Sequence, residues 1–274
     1  MKRFWAASSF FNTRTRLLLS KRTKVAICAI LATFLAWIVL SQTGWLFGIF
    51  FVITITATFG LILWVLAEDL AGIKFLTIPA LPVFYLGAFL GLAKSLVLSP
   101  VGIFTAGLAL GTSFYFLLLT QNIYNIAAAR SIGLVRAANV SGTLFTVIAA
   151  FLAYGIVWVS GLPFWILVPA VFLISFILSA LSIWSTHLEE KISWLDFKVA
   201  ILLSLILAQI ALALSFWPIL SLIGALVLSI ALYVALSLTQ FELQERLSNR
   251  VIAEYLLIGV VVLVLILVTT RWGG

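Results

Sequence analysis

Few residues in this sequence have the chemistry to act as catalytic or binding groups. Glu68 and Asp69 are adjacent and diverge around a helix, whereas Glu242 and Glu245 are spaced to share one face. Either pair would suit general acid–base work on a lipid at a membrane surface. Solvated acids near Lys74, Arg246 or Arg250 are the simpler reading and the preferred one. His187, Glu189, Glu190 and Lys191 have the outline of a metal or acid–base cluster, yet one histidine is short of the nitrogen and sulfur ligands such a site draws on. A solvated loop is expected there.

The segment Gln121–Gly142 carries the most suggestive pattern. Asn122, Asn125, Arg136 and Asn139 follow one another at intervals of three, eleven and three residues, with Ala129 and Ile132 filling the gap. On a continuous helix they would form one stripe. Amides and a guanidinium facing one way could hold a phosphate or an anionic lipid head group. Ordinary positive-inside anchoring by Arg130 and Arg136 is the competing reading.

The sequence holds no H-E-x-x-H metal motif and no G-x-S-x-G nucleophile elbow. Cys28 is the sole cysteine and falls inside an apolar run, where it reads as a small hydrophobe. No catalytic, cofactor-binding or metal site is therefore expected, and enzymatic activity is not favoured.

The elements that must position these residues are set by composition. The chain has 274 residues, 65% hydrophobic and 9% charged, with a mean hydropathy of +1.30. Such a chain cannot cover a water-facing surface, so lipid is its solvent. Apolar runs fall near 25–41, 45–67, 75–93, 101–120, 143–160, 164–184, 199–216, 219–238 and 251–270. A span takes about 20 apolar residues. The expected fold is an all-α bundle of about nine transmembrane helices, a single membrane domain over residues 25–274.

Residues 1–24 precede it with seven cations and no acid. A cytoplasmic anchor, an interfacial helix and a transit peptide all fit, and a membrane-surface segment is preferred over a cleavable signal. If the N-terminus is inside, Lys74, Arg130, Arg136, Lys191, Lys198, Arg246 and Arg250 join those seven on the inner side. That leaves only Lys94 and Arg271 outside, and the C-terminus outside as well, as an odd number of spans requires. Tryptophans at 37, 45, 158, 165, 217 and 272 mark the outer interface, and those at 64, 184 and 194 the inner one.

Within the spans no ionisable group falls at mid-depth, which argues against proton-relay pumps. Gln209 is the most polar side chain near a span's middle, with Thr54, Thr56 and Thr58 in the second span and Thr105, Thr112 and Ser113 in the fourth. Pro79 and Pro82 interrupt the third run; a kinked helix is expected, with a broken or re-entrant segment as the alternative. Gly87 with Gly91 and Gly107 with Gly111 form two G-x-x-x-G pairs, which let helix backbones approach closely. They predict packing between the third and fourth helices, or a dimer face.

The net charge of +8 is concentrated in the first segment, so anionic lipid head groups at the inner face are the expected partners and nucleic acid is not. Three classes of function follow. A non-catalytic membrane component or subunit of a larger complex fits best, with a membrane-protein partner or homo-oligomer. A permease or carrier for a small apolar or lipid-like molecule comes second, and a lipid-modifying enzyme third. A plasma membrane or bacterial inner membrane is the expected location.

Overall fold

A computed structural model describes residues 20–66, 72–96, 98–127, 135–187 and 193–270. The described residues form nine α-helices and no strand. These are α1 (Lys21–Ser41), α2 (Trp45–Leu66), α3 (Lys74–Ser95), α4 (Pro100–Ala127), α5 (Val135–Val159), α6 (Phe164–His187), α7 (Trp194–Ser215), α8 (Ser221–Leu243) and α9 (Asn249–Thr269). All nine are long and apolar enough to cross a membrane. In hydrocarbon every backbone N–H and C=O needs an internal partner, and a helix supplies these within one segment. The chain is a polytopic helical membrane protein.

Short connections alternate between the two ends of the bundle, and cross-contacts register them. At one end Asn125 Nδ2 donates to Leu66 O at 3.0 Å, capping the last turn of α2, and Lys24 Nζ lies 5.8 Å over the Trp64 ring. At the other, Lys94 Nζ donates to Gln42 O at 2.6 Å and Trp217 Nε1 to Thr270 Oγ1 at 2.7 Å. The first of these ends carries Lys21, Arg22, Lys24, Lys74, Lys198, Arg246 and Arg250, and is called the basic end below. The opposite end has Lys94, which satisfies a carbonyl exposed by the α1–α2 hairpin. Gly44 and Gly161 turn two of the short hairpins there with φ of +60°, a region other residues enter at a cost.

The helices run further toward the basic end than the apolar runs suggest. α4 continues to Ala127 and α5 starts at Val135, because Tyr124 and Asn125 are buried and bonded there rather than solvated. Tyr124 OH donates to Ala138 O at 2.8 Å, joining α4 to α5, and a side chain at Gly142 would collide with its ring. α3 is continuous through Pro79 and Pro82, so the third span is neither broken nor re-entrant. α6 likewise contains Pro169.

α5 is the hub, in contact with α3, α4, α6 and α8. On one flank α1 packs against α2 and α4; on the other α6 pairs with α7. α9 packs along α8 and buries none of its own residues. Its apolar side chains, among them Leu256, Leu257, Val260 and Val264, face outward, as a lipid-bathed helix requires.

Candidate functional site

The last three turns of α8 carry polar side chains at Tyr233, Ser237 and Gln240, and Gln244 caps the helix one position beyond its end. Their spacing of four, three and four residues places them on one stripe. That stripe faces Asn139, Val140 and Thr143 in the first turns of α5, with Thr186 of α6 and Tyr255 of α9 closing the sides. Together with Phe241 and Arg246 they line a cavity of about 470 Å³ at the basic end. This falls in the range of about 300–1,000 Å³ typical of small-molecule sites.

The inner wall of the cavity is held by hydrogen bonds. Gln240 accepts from Thr143 Oγ1 at 3.2 Å through Oε1 and donates to Ser182 Oγ at 3.0 Å through Nε2. Its amide therefore joins α5, α6 and α8 in a fixed orientation. Asn139 Oδ1 is buried at the wall with no donor among the described residues. Ser182, which accepts from Gln240, also lines a water-sized void of about 10 Å³ beside Gln121, Tyr124, Thr146 and Ser185.

The outer wall is aromatic. Tyr255 is the one α9 residue in the lining, and its ring sits 5.8 Å from that of Tyr233 and 6.1 Å from that of Phe241. The turn after α8 sets the mouth. Glu245 N–H donates to Glu242 O and Arg246 N–H to Phe241 O, both at 2.9 Å, the paired bonds of a Schellman ending. The residue in the left-handed position is Glu245, with φ of +54°, where glycine is usual. The turn delivers Arg246 to the cavity. No carboxylate, histidine or cysteine lies in the described lining, and among the described residues no three metal-ligating side chains come together.

The structure distributes the sequence candidates differently from a single stripe. Asn122 and Asn125 lie on α4 and Asn139 on α5, while the side chain of Arg136 is outside the described residues. Asn125 is committed to Leu66 O, so of the three whose side chains are described only Asn139 lines the cavity. Glu68, Asp69, Glu189, Glu190, Lys191 and the His187 side chain also fall outside the described residues. Glu242 and Glu245 do not share a helical face, because α8 ends at Leu243 between them. Thr54 and Thr58 are buried away from the cavity, and Thr56 bonds its own helix at Val52 O.

The glycine pairs meet other helices than each other. Side chains at Gly107 and Gly111 of α4 would collide with Trp37 and Thr33 of α1. At Gly91 one would meet Ile156 of α5, and at Gly87 it would touch Ile55 of α2 at 3.4 Å. α3 and α4 are in contact, with Tyr85 OH donating to Ser113 Oγ at 2.8 Å. The α8 stripe escaped the sequence reading, although its signal was present as four polar residues at helical spacing, set among the other polar positions Ser229, Thr239 and Glu242.

The family described as "Protein of unknown function (DUF5656)" matches residues 67–269. The chain belongs to that family. The DUF5656 match takes in α3 to α9 and every residue of the cavity, and leaves α1 and α2 outside it. No curated protein and no solved structure matches the chain.

Proposed function

We propose that the chain is a non-catalytic membrane protein that holds a lipid-like molecule in the cavity between α5, α8 and α9, with its basic end facing the cytoplasm. The observation that carries this reading is the cavity itself. It offers amides, hydroxyls and one guanidinium on its inner side and an aromatic wall toward a helix that lipid surrounds. A head group fits the first surface and the beginning of an apolar tail the second. The lining holds donors and acceptors that bind and orient, and no described carboxylate or imidazole base stands beside its hydroxyls.

Orientation follows from charge. Seven described cations lie at the basic end and one at the other, as retention of Lys and Arg on the cytoplasmic side demands. Plasma membrane or bacterial inner membrane is the location this supports.

Native mass spectrometry of the gently extracted protein tests the reading. One defined amphiphile per chain is expected, and it should be lost from Val140→Trp, which fills the cavity from an exposed position. Retention unchanged in that variant would refute the assignment.

A second reading, that the chain is a subunit of a larger assembly, is favoured by Gln209. This amide is exposed about two-thirds of the way along α7 and makes no hydrogen bond among the described residues. In lipid such a group is best satisfied by another helix. A stoichiometric protein partner in the same spectrum, released by Gln209→Leu, would establish it.

A further inference from the structure

We infer that α7 is the face through which two copies of this chain pair side by side in the membrane, with the Gln209 amide of each bonded to that of the other. This rests on the second reading above, in which another helix satisfies Gln209, and names that helix.

A comparison of the exposed polar side chains on the spans singles Gln209 out. Thr56, Thr105 and Thr112 are exposed as well, but each donates to a carbonyl one turn back on its own helix, at 2.9 Å to Val52 O, 3.1 Å to Val101 O and 3.0 Å to Leu108 O. Gln209 has no such bond among the described residues. Along α7 it lies about 17 Å from Lys198 and about 10 Å from Phe216 at 1.5 Å per residue. At that depth a lipid tail has neither donor nor acceptor to offer an amide.

The face around it has the form of a seam. Leu202, Leu205, Gln209, Leu212 and Phe216 follow one another at spacings of three, four, three and four, and all five are exposed. This is the seven-residue repeat of two helices packed knobs-into-holes, where a single polar residue among the apolar ones fixes register. Gln209 is the central residue of the five. The other face of α7 is taken, since Ala200, Leu207, Ala211 and Leu214 are buried and α6 and α8 pack beside them. Toward the basic end the next position is Lys198, whose Nζ turns 5.5 Å over its own Trp194 ring, so the seam starts at Leu202.

The occupant these features specify is a second copy. A glutamine amide is its own complement, because the N–H of each meets the oxygen of the other and a two-fold axis forms both bonds at once. Every copy is inserted with the same orientation, so two α7 helices side by side run parallel and carry Gln209 at one depth. In a parallel pair each seam position faces its own counterpart. The register that joins the amides therefore also sets leucine against leucine. The exposed face of α9 is different, being apolar throughout from Leu256 to Val268, and lipid alone satisfies it.

The test is oxidative cross-linking of the full-length protein in its native membrane. Leu205→Cys and Leu212→Cys should each give a disulfide-linked dimer, because seam residues come within disulfide reach of their counterparts. Wild type should not, since Cys28 is fully buried, and neither should Val260→Cys on the exposed face of α9. In detergent, native mass spectrometry over a dilution series should show the dimer of Gln209→Leu weakened about tenfold, the scale of two interhelical amide bonds. Gln209→Asn, which keeps an amide, should retain part of that affinity.

Cross-linking of Val260→Cys as efficient as that of Leu205→Cys would reduce the contact to random collision and overturn the seam. A Gln209→Leu dimer as tight as wild type would overturn the amide pairing. A different protein held in stoichiometric complex and released by Gln209→Leu would overturn the second copy while leaving the subunit reading standing. A monomer at every dilution, with no cross-link at either seam position, would end both.

Discussion

Replacing Gly107 with alanine adds one methyl group to α4, and the structure says where it would go. It would lie on the indole of Trp37, which crosses α4 at that point and stacks on Phe104 with centroids 5.4 Å apart and planes 13° apart. The indole has to move, because the methyl group would meet the rigid ring system itself rather than the tip of a flexible chain. Overpacking of this kind costs about 1–3 kcal/mol, and a disturbed aromatic stack adds about 0.5–1.5 kcal/mol. Alanine returns up to about 1 kcal/mol of helix propensity. The expected net destabilisation is about 0.5–3.5 kcal/mol, read as a lower midpoint when the purified protein is titrated with SDS in mixed micelles. Gly60→Ala is the internal control, since nothing lies within 4 Å of a side chain there. It should leave the midpoint unchanged or raise it. Trp37→Leu should relieve the clash, so the double variant Gly107→Ala/Trp37→Leu should be more stable than the two single losses add up to. A coupling energy of zero in that cycle, or a neutral Gly107→Ala, would refute the α1–α4 seam.

Glu245→Gly should raise stability by about 0.5–1 kcal/mol in the same titration, because the left-handed position at the end of α8 then carries no Cβ. Lys94→Met should lower it by about 1 kcal/mol through loss of the 2.6 Å bond to Gln42 O. Membrane-impermeant maleimide should label Ser160→Cys in intact cells and Asn249→Cys only after permeabilisation, with the native Cys28 silent because it is fully buried. Labelling of both from one side would contradict the passage of α6, α7 and α8 between them.

The nine helices were legible because each apolar run is long enough to span and is bounded by charge or by turn residues such as Gly44 and Gly161. Their ends on the basic side were not. Hydropathy falls at Gln121–Ala127 and again at Val135–Asn139, yet the backbone stays helical there. Tertiary contacts replace the missing apolar signal, as Tyr124 finds Ala138 O and Asn125 finds Leu66 O. The glycines announced close approach without naming the partner, since a G-x-x-x-G face only specifies that something large can lie against it. In α4 that something is Trp37 and Thr33, four residues apart on α1 and matched to Gly107 and Gly111 in register.

The cavity shows why the stripe on Gln121–Gly142 pointed to the right neighbourhood but the wrong set of residues. A binding site in a helical bundle is assembled from short segments of several helices, so residues close in sequence need not meet. Asn125 and Asn139 are fourteen positions apart, and one became a cap for α2 while the other entered the cavity. The residues that complete the site lie about a hundred positions on, in α8 and its turn. What joins the two regions is the packing of α5 against α8, fixed by the Thr143–Gln240–Ser182 bonds. Sequence periodicity can reveal each stripe separately, but only the helix pairing says that the stripe of α8 and the first turns of α5 face each other across one volume.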